Sequence, residues 1–396
     1  MDKKVVDILI VGGGLTGTLL LLALANKGYR VLLIDSTGLS EKASSDFDAR
    51  TLALSPASVR ILQMLKIWPL LQQEATPIET IHVSEQSRFG AALIKSKTSE
   101  ALGYVVEMQQ INRVLAGLID EQQLLAKAKL IAVDKAASFA TISTEKGEMQ
   151  IEAKLIVAAD GTDSTVRKLC DLPIETKDYH QLALVTNIGL ARSHHHCAYE
   201  RFRMAGTIAL LPTTKNRVSL VWALSPSEAK RLQALDERAF LQELQKAFGY
   251  RLGRFTQVGK RVTYPLRQVT MPKKTAWPFV FVGNASQTLH PVAGQGFNLG
   301  LRDVASLVEC ILKEGLHEAM LETYQQMRQH DAKAITRLTD LLIMCFTSQS
   351  RAVILARQWG LMAVDNLPFL KRCLTHYTCG FAGITPDLVC GITLDK

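Results

Sequence analysis

Hydrophobic positions near the start of the chain come in unbroken runs rather than in alternation. Val5–Val11 is a short apolar run, the pattern of a strand buried on both faces of a parallel sheet. Leu15–Asn26, rich in Leu and Ala, reads as a helix and stops at Lys27-Gly28, where glycine is a common terminator. Val31–Ile34 is a second buried strand, so the chain opens with a strand–helix–strand unit and its right-handed crossover. The run Val5–Ala25 follows Lys3 and Lys4 in the manner of a signal sequence, but Asp7 and four glycines interrupt it. We read it as fold rather than export signal, and no other stretch is long and apolar enough to span a bilayer.

Further on, Ser55–Leu71 and Gln110–Leu125 predict helices. Ile131–Ile151 alternates around Lys146-Gly147 and predicts a small antiparallel unit, after which Lys154–Ala159 returns to a buried strand. From about Pro173 to Thr275 the texture changes. The short segments Gln181–Leu190, Thr207–Leu211 and Arg217–Ala223 predict an antiparallel sheet, joined by a charged helical stretch, Ser227–Ala247. Phe279–Val282 is one more buried strand, and the chain from Asn298 onward is mainly helical. The expected class is α/β: a doubly wound parallel-sheet domain made of residues 1–80, 101–175 and 276–345. An antiparallel-sheet domain from 81–100 and 176–275 is inserted into it, and a helical region, 346–396, completes the chain.

Composition narrows this only a little. With 47% hydrophobic and 21% charged residues, a chain of 396 residues has enough apolar side chains for a substantial core. The seven cysteines are scattered, with no Cys-x-x-Cys pair, which argues against a disulfide framework and fits a reducing, cytoplasmic setting. Lys and Arg (46) exceed Asp and Glu (37), which favours anionic partners such as a dinucleotide phosphate or an acidic membrane surface. The basic stretch Arg251–Lys274 reads as solvated surface. No nucleic-acid partner is expected.

Candidate chemistry lies in three glycine-bearing turns. Gly12-Gly13-Gly14-Leu15-Thr16-Gly17 sits between the first strand and helix. Gly12 allows the tight turn, Gly14 lets a pyrophosphate reach the backbone, and Gly17 permits close helix–strand packing. Asp35 ends the second strand, where a carboxylate accepts ribose hydroxyls and disfavours a 2′-phosphate. The second turn, Asp160-Gly161, follows the buried strand that ends at Ala159 and leads into a helix. The third, Gly283-Asn284, is followed by His290-Pro291 and by Gly294-Gln295-Gly296-Phe297-Asn298, whose glycines expose N–H groups at a helix start.

These three segments, in this order, resemble the signature set of the class A flavoprotein monooxygenases with the para-hydroxybenzoate hydroxylase fold. Within that family, Gly-Asn-Ala-x-Gln-Thr-Leu-His-Pro-x-Ala-Gly-Gln-Gly-Phe-Asn-Leu-Gly from Gly283, with Asp48-Ala49-Arg50, is similar to the 2-polyprenyl-6-methoxyphenol hydroxylases of ubiquinone biosynthesis. The resemblance implies FAD held by Gly12, Gly14, Gly17, Asp35, Arg50, Asp160, Gly161, Gly283, Asn284, Gly294, Gln295, Gly296 and Asn298. It implies NAD(P)H as reductant, O₂ and a polyprenylated phenol as substrates, and an oxygen transfer from the flavin C4a-hydroperoxide to an electron-rich ring. The domains then become an FAD-binding domain and a substrate domain. Asn284 departs from the family's usual Gly-Asp; Asn keeps a carbonyl acceptor for ribitol but loses the charge. A homo-oligomer or a complex with other biosynthetic enzymes stays open.

Other residues are weighed and set lower. His290 and Pro291 are candidate catalytic residues beside the flavin, although a positioning histidine is the plainer reading. His194-His195-His196-Cys197 reads as a polar loop and not a metal site, because neighbouring strand residues point apart. Tyr199, Phe202 and Trp222 line either a cavity or a core, and Arg113 is a weak cofactor candidate. Val353–Leu374 mixes apolar and basic residues; a packed amphipathic helix is expected, with contact at the inner face of a membrane as the alternative. Two rival functions remain: an FAD-dependent isoprenoid reductase on the same scaffold, and a non-catalytic flavin-binding assembly subunit.

Overall fold

A computed structural model describes residues 2–37, 47, 50–96, 100–134, 139–204, 206–290, 294–348, 350–381 and 385–394. The chain starts with β1 (Asp2–Val11), α1 (Leu15–Leu24), β2 (Val31–Asp35) and β3 (Thr51–Leu54). Then come α2 (Pro56–Met64), α3 (Trp68–Leu71), β4 (Thr76–Ile78), β5 (Thr80–Glu85), β6 (Ala91–Lys95), β7 (Gly103–Glu107) and α4 (Met108–Ala116). β8 (Leu124–Ala126), β9 (Lys129–Asp134), β10 (Phe139–Thr144), β11 (Gly147–Ala158) and α5 (Thr165–Leu169) complete the first part. The second sheet takes most of its strands from β12 (Glu175–Leu190), β13 (Cys197–Arg203), β14 (Gly206–Thr213) and β15 (Arg217–Leu224). It continues through α6 (Pro226–Ala234), α7 (Glu237–Phe248), β16 (Phe255–Val258) and β17 (Val262–Thr270). The chain then returns through β18 (Thr275–Ala276), β19 (Phe279–Phe281) and β20 (Gln287–Thr288). It ends in α8 (Gln295–Glu314), α9 (Glu318–Thr347), α10 (Arg351–Asn366), α11 (Pro368–Thr378) and α12 (Asp387–Cys390).

The first sheet runs β18-β19-β11-β1-β2-β8, with β1 parallel to both β11 and β2. Alternate residues of β1 face two different cores. Ile8 and Ile10 pack with Leu20, Leu24, Val304 and Leu307 beneath α1 and α8, while Leu9 and Val11 pack with Ala140, Ile142 and Val166. Burial on both faces is why the sequence shows runs instead of alternation. The hairpin arm and the buried strand expected between 131 and 159 share one strand: β11 pairs antiparallel with β10 and parallel with β1.

Two expectations need correction. The helix expected over Gln110–Leu125 stops at Ala116, and Leu124–Ala126 instead adds a parallel strand beside β2. Gly117 ends the helix, and Leu124 and Leu125, half-buried, extend the sheet at its edge. Arg251–Lys274 is not simply solvated surface, because it contains β17, paired with β12 on one side and β20 on the other. Lys274 at its end is buried, its ammonium 3.4 Å from Asp303.

The second sheet runs β20-β17-β12-β15-β14-β13-β5-β6. β5 and β6 reach it from the first part of the chain, and a small sheet, β3-β7-β4, adjoins them. Its outer edge, β6, is closed by side chains: Leu93 N–H donates to Asp365 Oδ1 at 3.0 Å and Lys371 Nζ donates to Leu93 O at 2.9 Å. Arg357 of α10 is buried in a bidentate pair with Glu85 and also donates to Cys345 O and Ser348 O, which holds the bend between α9 and α10.

A buried ionic network fixes the third turn. Asp303 of α8 accepts from Gly283 N–H at 3.1 Å and from Arg328 Nε at 2.7 Å. Arg328 also meets Asp331, which pairs with Arg302, both at 2.7 Å. Burial pushes Lys274 down to about 8 against the pull of Asp303. Replacing Asp303 by Ala takes from buried Lys274 its carboxylate, leaves Arg328 with Asp331 alone, and unpairs the Gly283 amide. The expected loss is about 3–5 kcal/mol in denaturant unfolding; a loss below about 1 kcal/mol would refute a central role for this carboxylate.

Candidate cofactor and active site

The first turn is shaped by what its glycines leave out. Gly12 has φ +108°, and a Cβ there would meet Ala159 O at 2.6 Å. At Gly17 a Cβ would stand 2.0 Å from Gly12 O, so α1 starts almost on the preceding carbonyl. Gly14 differs, because a Cβ there would meet nothing within 4 Å. It therefore borders open space, a cavity of about 340 Å³ whose lining includes Gly12, Gly14, Asp35, Lys129, Asp160 and Gly161.

The acid at the end of β2 already holds the turn. Asp35 accepts from Gly13 N–H at 2.6 Å and from Thr37 N–H and Oγ1 at 2.7 Å each. A carboxylate has roughly four acceptor positions, so one stays available for a ribose hydroxyl. Asp160 Oδ2 accepts from Thr165 and Val166 N–H at 2.6 and 3.2 Å, and its buried Oδ1 has no partner among the described residues. Gly161, at φ +85°, also borders open space.

The third turn adjoins the first through Thr16. A Cβ on Gly283 would lie 2.9 Å from Thr16 Oγ1, and one on Gly300 would lie 3.2 Å from it. Arg167, buried, ties the second turn to the third by donating to Thr162 O at 2.6 Å and to Ala285 O at 2.9 Å. Asn284 is exposed at the start of this turn. Gly294 adopts a left-handed conformation, φ 61° and ψ 27°, as the N-cap of α8, and Gln295 is buried in the first turn. Gly296 borders open space. α1 and α8 start without a capping side chain or an acid in the first turn, as do α4 and α10, whereas α2, α5, α6 and α7 carry Ser or Asp caps. Bare helix starts of this kind offer N–H groups and a positive dipole end to an anion. The orphaned Asp160 oxygen, the open space at Gly14 and the bare starts of α1 and α8 fit a dinucleotide such as FAD.

Other predicted residues are placed as follows. Asn298 is committed to the protein: its Oδ1 accepts from Ser55 N–H and Ser58 Oγ, and its Nδ2 donates to Ala53 O and Gly294 O. It shapes the turn through β3 and α8. Arg50 is exposed, with Nη1 3.4 Å from the Tyr264 hydroxyl of β17; Asp48, Ala49 and Pro291 lie outside the described residues. His290 is buried edge-on to Tyr179, ring centres 5.0 Å apart. Burial pushes its imidazole down to about 4, so the ring is neutral at pH 7 and a weak base, which suits positioning. Arg113 turns back to Gln110 on its own helix. His194 Nε2 lies 2.9 Å from Thr213 O, within a loop. Sequence reading missed Thr16, Arg167 and Asp303 as the links between turns. Thr16 sits inside the first motif and Arg167 and Asp303 shortly after the second and third, but only packing shows their role.

Comparison with known proteins decides the family. The family model described as the FAD binding domain matches residues 5–339. The chain belongs to this FAD-binding family. Among curated relatives, ubiquinone hydroxylase UbiL of Rhodospirillum rubrum is 34% identical over 97% of this chain and 92% of its own. The 3-demethoxyubiquinol 3-hydroxylase of Escherichia coli is 30% identical over 96% of this chain and 100% of its own. The p-nitrophenol 4-monooxygenase PnpA of Pseudomonas putida superposes with a TM-score of 0.79 at 17% identity, over 96% of this chain and 99% of that one. PqsL of Pseudomonas aeruginosa gives 0.74 at 21% identity, over 91% and 100%. The α/β fold expected from the sequence, with its helical C-terminal region, is the fold these structures share.

The glycines separate binding from folding. Gly14→Ala points a methyl into open space at an ordinary φ of −70°, and should leave the apoprotein's thermal midpoint within about 2 °C while weakening FAD binding roughly tenfold or more. Gly17→Ala should prevent stable folding itself. Calorimetry and flavin titration check both; unchanged FAD affinity in Gly14→Ala would contradict the placement of the pyrophosphate.

Proposed function

We propose that this chain is an FAD-dependent hydroxylase that uses NAD(P)H and O₂ to hydroxylate the ring of a polyprenylated phenol in ubiquinone biosynthesis. The single observation that carries the reading is one cavity lined by the first two turns, with the third packed on the first through Thr16, in a chain whose curated relatives are named ubiquinone hydroxylases. The bound flavin supplies the redox chemistry and oxygen activation. The chain's own residues do the rest. Gly14 and the start of α1 receive the pyrophosphate, Asp35 the adenosine ribose, and Asp160 Oδ1 a flavin-side hydroxyl. The N–H groups at the start of α8, with Gly296, stabilise negative charge on the flavin ring. Neutral His290, packed on Tyr179, holds the loop between the third turn and α8.

The purified protein is expected to be yellow and to oxidise NADH or NADPH at least several-fold faster with a short-tailed prenylated methoxyphenol, yielding product one oxygen heavier. Reductant consumption indifferent to every phenol, or reduction of a prenyl double bond without oxygen uptake, overturns the reading.

The C-terminal helices support a place at a membrane for the same reaction. α10 is inverted for a soluble helix: Arg357 and Gln358 are buried, while Leu355 and Trp359 are 53% and 62% exposed. Leu341 and Met344 on α9 and Leu367, Phe369 and Leu370 around the start of α11 add exposed apolar surface. Exposed Lys333, Arg337, Arg351 and Arg372 lie among them. Apolar anchors within basic residues complement an anionic bilayer. On this reading the protein works in the cytoplasm at the inner face of the membrane and takes its substrate from the lipid. Trp359→Ser with Phe369→Ser should abolish co-sedimentation with phosphatidylglycerol-containing vesicles; retained binding, or none by the wild type, counts against it.

A further inference from the structure

The two faces of the antiparallel sheet are both apolar but are covered differently. On one, Leu184, Ile208, Leu210, Leu220 and Trp222 are buried with Phe240 and Leu244 of α7. On the other, cross-strand register aligns Val83, Glu200, Ala209, Val221, Val185 and Val262 in a single row. Each residue of this row is only partly buried. Solvent reaches this row in part. Glu200 is the one ionisable residue in it.

Side chains alternate along a strand, so Glu200 shares its face with Ala198 and Phe202. Ala198 packs with Ile78 and Val105, and Phe202 stacks on Phe346 of α9 at 3.5 Å. Further along the row, Val221 and Val185 join the cluster containing Tyr179, whose ring meets His290 of the flavin-side loop. Glu200 therefore lies on the sheet face whose neighbours meet Ile78, Val105, Phe346 and, through Tyr179, His290. Three carboxylates of neighbouring elements are already paired: Glu85 with Arg357, Glu107 with Arg217 at 2.8 Å, and Asp340 with Lys177 at 2.7 Å. Arg201 and Arg203 project from the opposite face, towards Ser84 and Trp222. Glu200 has neither ion pair nor hydrogen bond among the described residues, and its surroundings push the carboxyl up to about 8.

An unpartnered carboxyl in an apolar wall opposes folding, and it suits a site that must engage an oxygen atom of a ligand. We propose that Glu200 is the specificity-determining contact for the ring oxygen of the phenolic substrate. The inference rests on the hydroxylase reading above. The neutral carboxyl donates its proton to a ring oxygen and accepts the phenol O–H on its carbonyl oxygen. Both are hydrogen bonds, and no proton changes owner. The flanking apolar row takes the ring and the start of its tail.

The experiment uses the FAD-loaded full chain, with a short-tailed 2-prenyl-6-methoxyphenol as probe and the flavin absorbance change as the binding signal. Glu200→Leu should raise the phenol Kd roughly tenfold or more, the loss expected for a buried hydrogen-bonding partner. FAD content and NAD(P)H affinity should stay unchanged, and the thermal midpoint should hold or rise. Glu200→Gln, which still donates and accepts, should raise Kd only about threefold. A second readout follows from the carboxyl's upward shift. The folded protein binds a proton that the unfolded chain releases between about 4.5 and 8, so this contribution is present below pH 4.5 and is lost as pH rises through 8. Glu200→Gln should lack that component. The proposal falls if Glu200→Leu binds the phenol as tightly as wild type, or if it loses FAD or stability, which marks the residue as structural. A wild type that binds no phenol removes the hydroxylase reading first and this proposal with it.

Discussion

The arrangement depends on one contact that admits no side chain, that of Gly17 against the carbonyl of Gly12. With it, α1 starts at the very end of β1, and its first-turn amides face the cavity above the sheet. Thr16, one residue earlier, then stands where Gly283 and Gly300 can reach it. The third turn is pressed onto the first by the same shortage of atoms. Asp303 and Arg167 complete this join from opposite sides, one through Gly283 N–H and the other through Ala285 O. A flavin dinucleotide needs donors spaced along its whole length, and this compact junction brings residues more than 250 positions apart in the chain to one ridge.

Much of this was legible in the sequence, for definite reasons. β1, α1 and β2 were readable because both sheet faces are buried and glycine spacing is strict where backbones touch. The roles of Gly12, Gly14 and Gly17 followed from the same constraint. Less was readable where packing overrides pattern. β8 hid in the tail of an apparent helix, because Leu124–Ala126 is apolar with either period. β17 hid in a basic stretch, since its charges point away from the ladder or, at Lys274, into a buried ion pair. Asn298 looked like a ligand residue and its side chain is spent on Ala53, Ser55, Ser58 and Gly294. Its amide can serve a turn as readily as a cofactor, and only the bonds distinguish the two.

The antiparallel sheet and the C-terminal helices share a feature that composition cannot reveal. Each presents apolar residues to the wrong side for a closed core. On the sheet this yields a partly exposed apolar row carrying one acid, and on α10 it yields an outward Trp359 above an inward Arg357. Both arrangements are costly for a molecule considered alone and sensible for one that holds an oily, ring-bearing ligand.

The closure of β6 by Asp365 and Lys371 has a bearing beyond the individual molecule. An outermost strand is a template for another chain's strand, and backbone groups already engaged by side chains cannot serve as one. A polypeptide cut short before α10 would bare that template together with the Glu85 carboxylate. Its fate would be decided by self-assembly into sheets rather than by any change in catalysis.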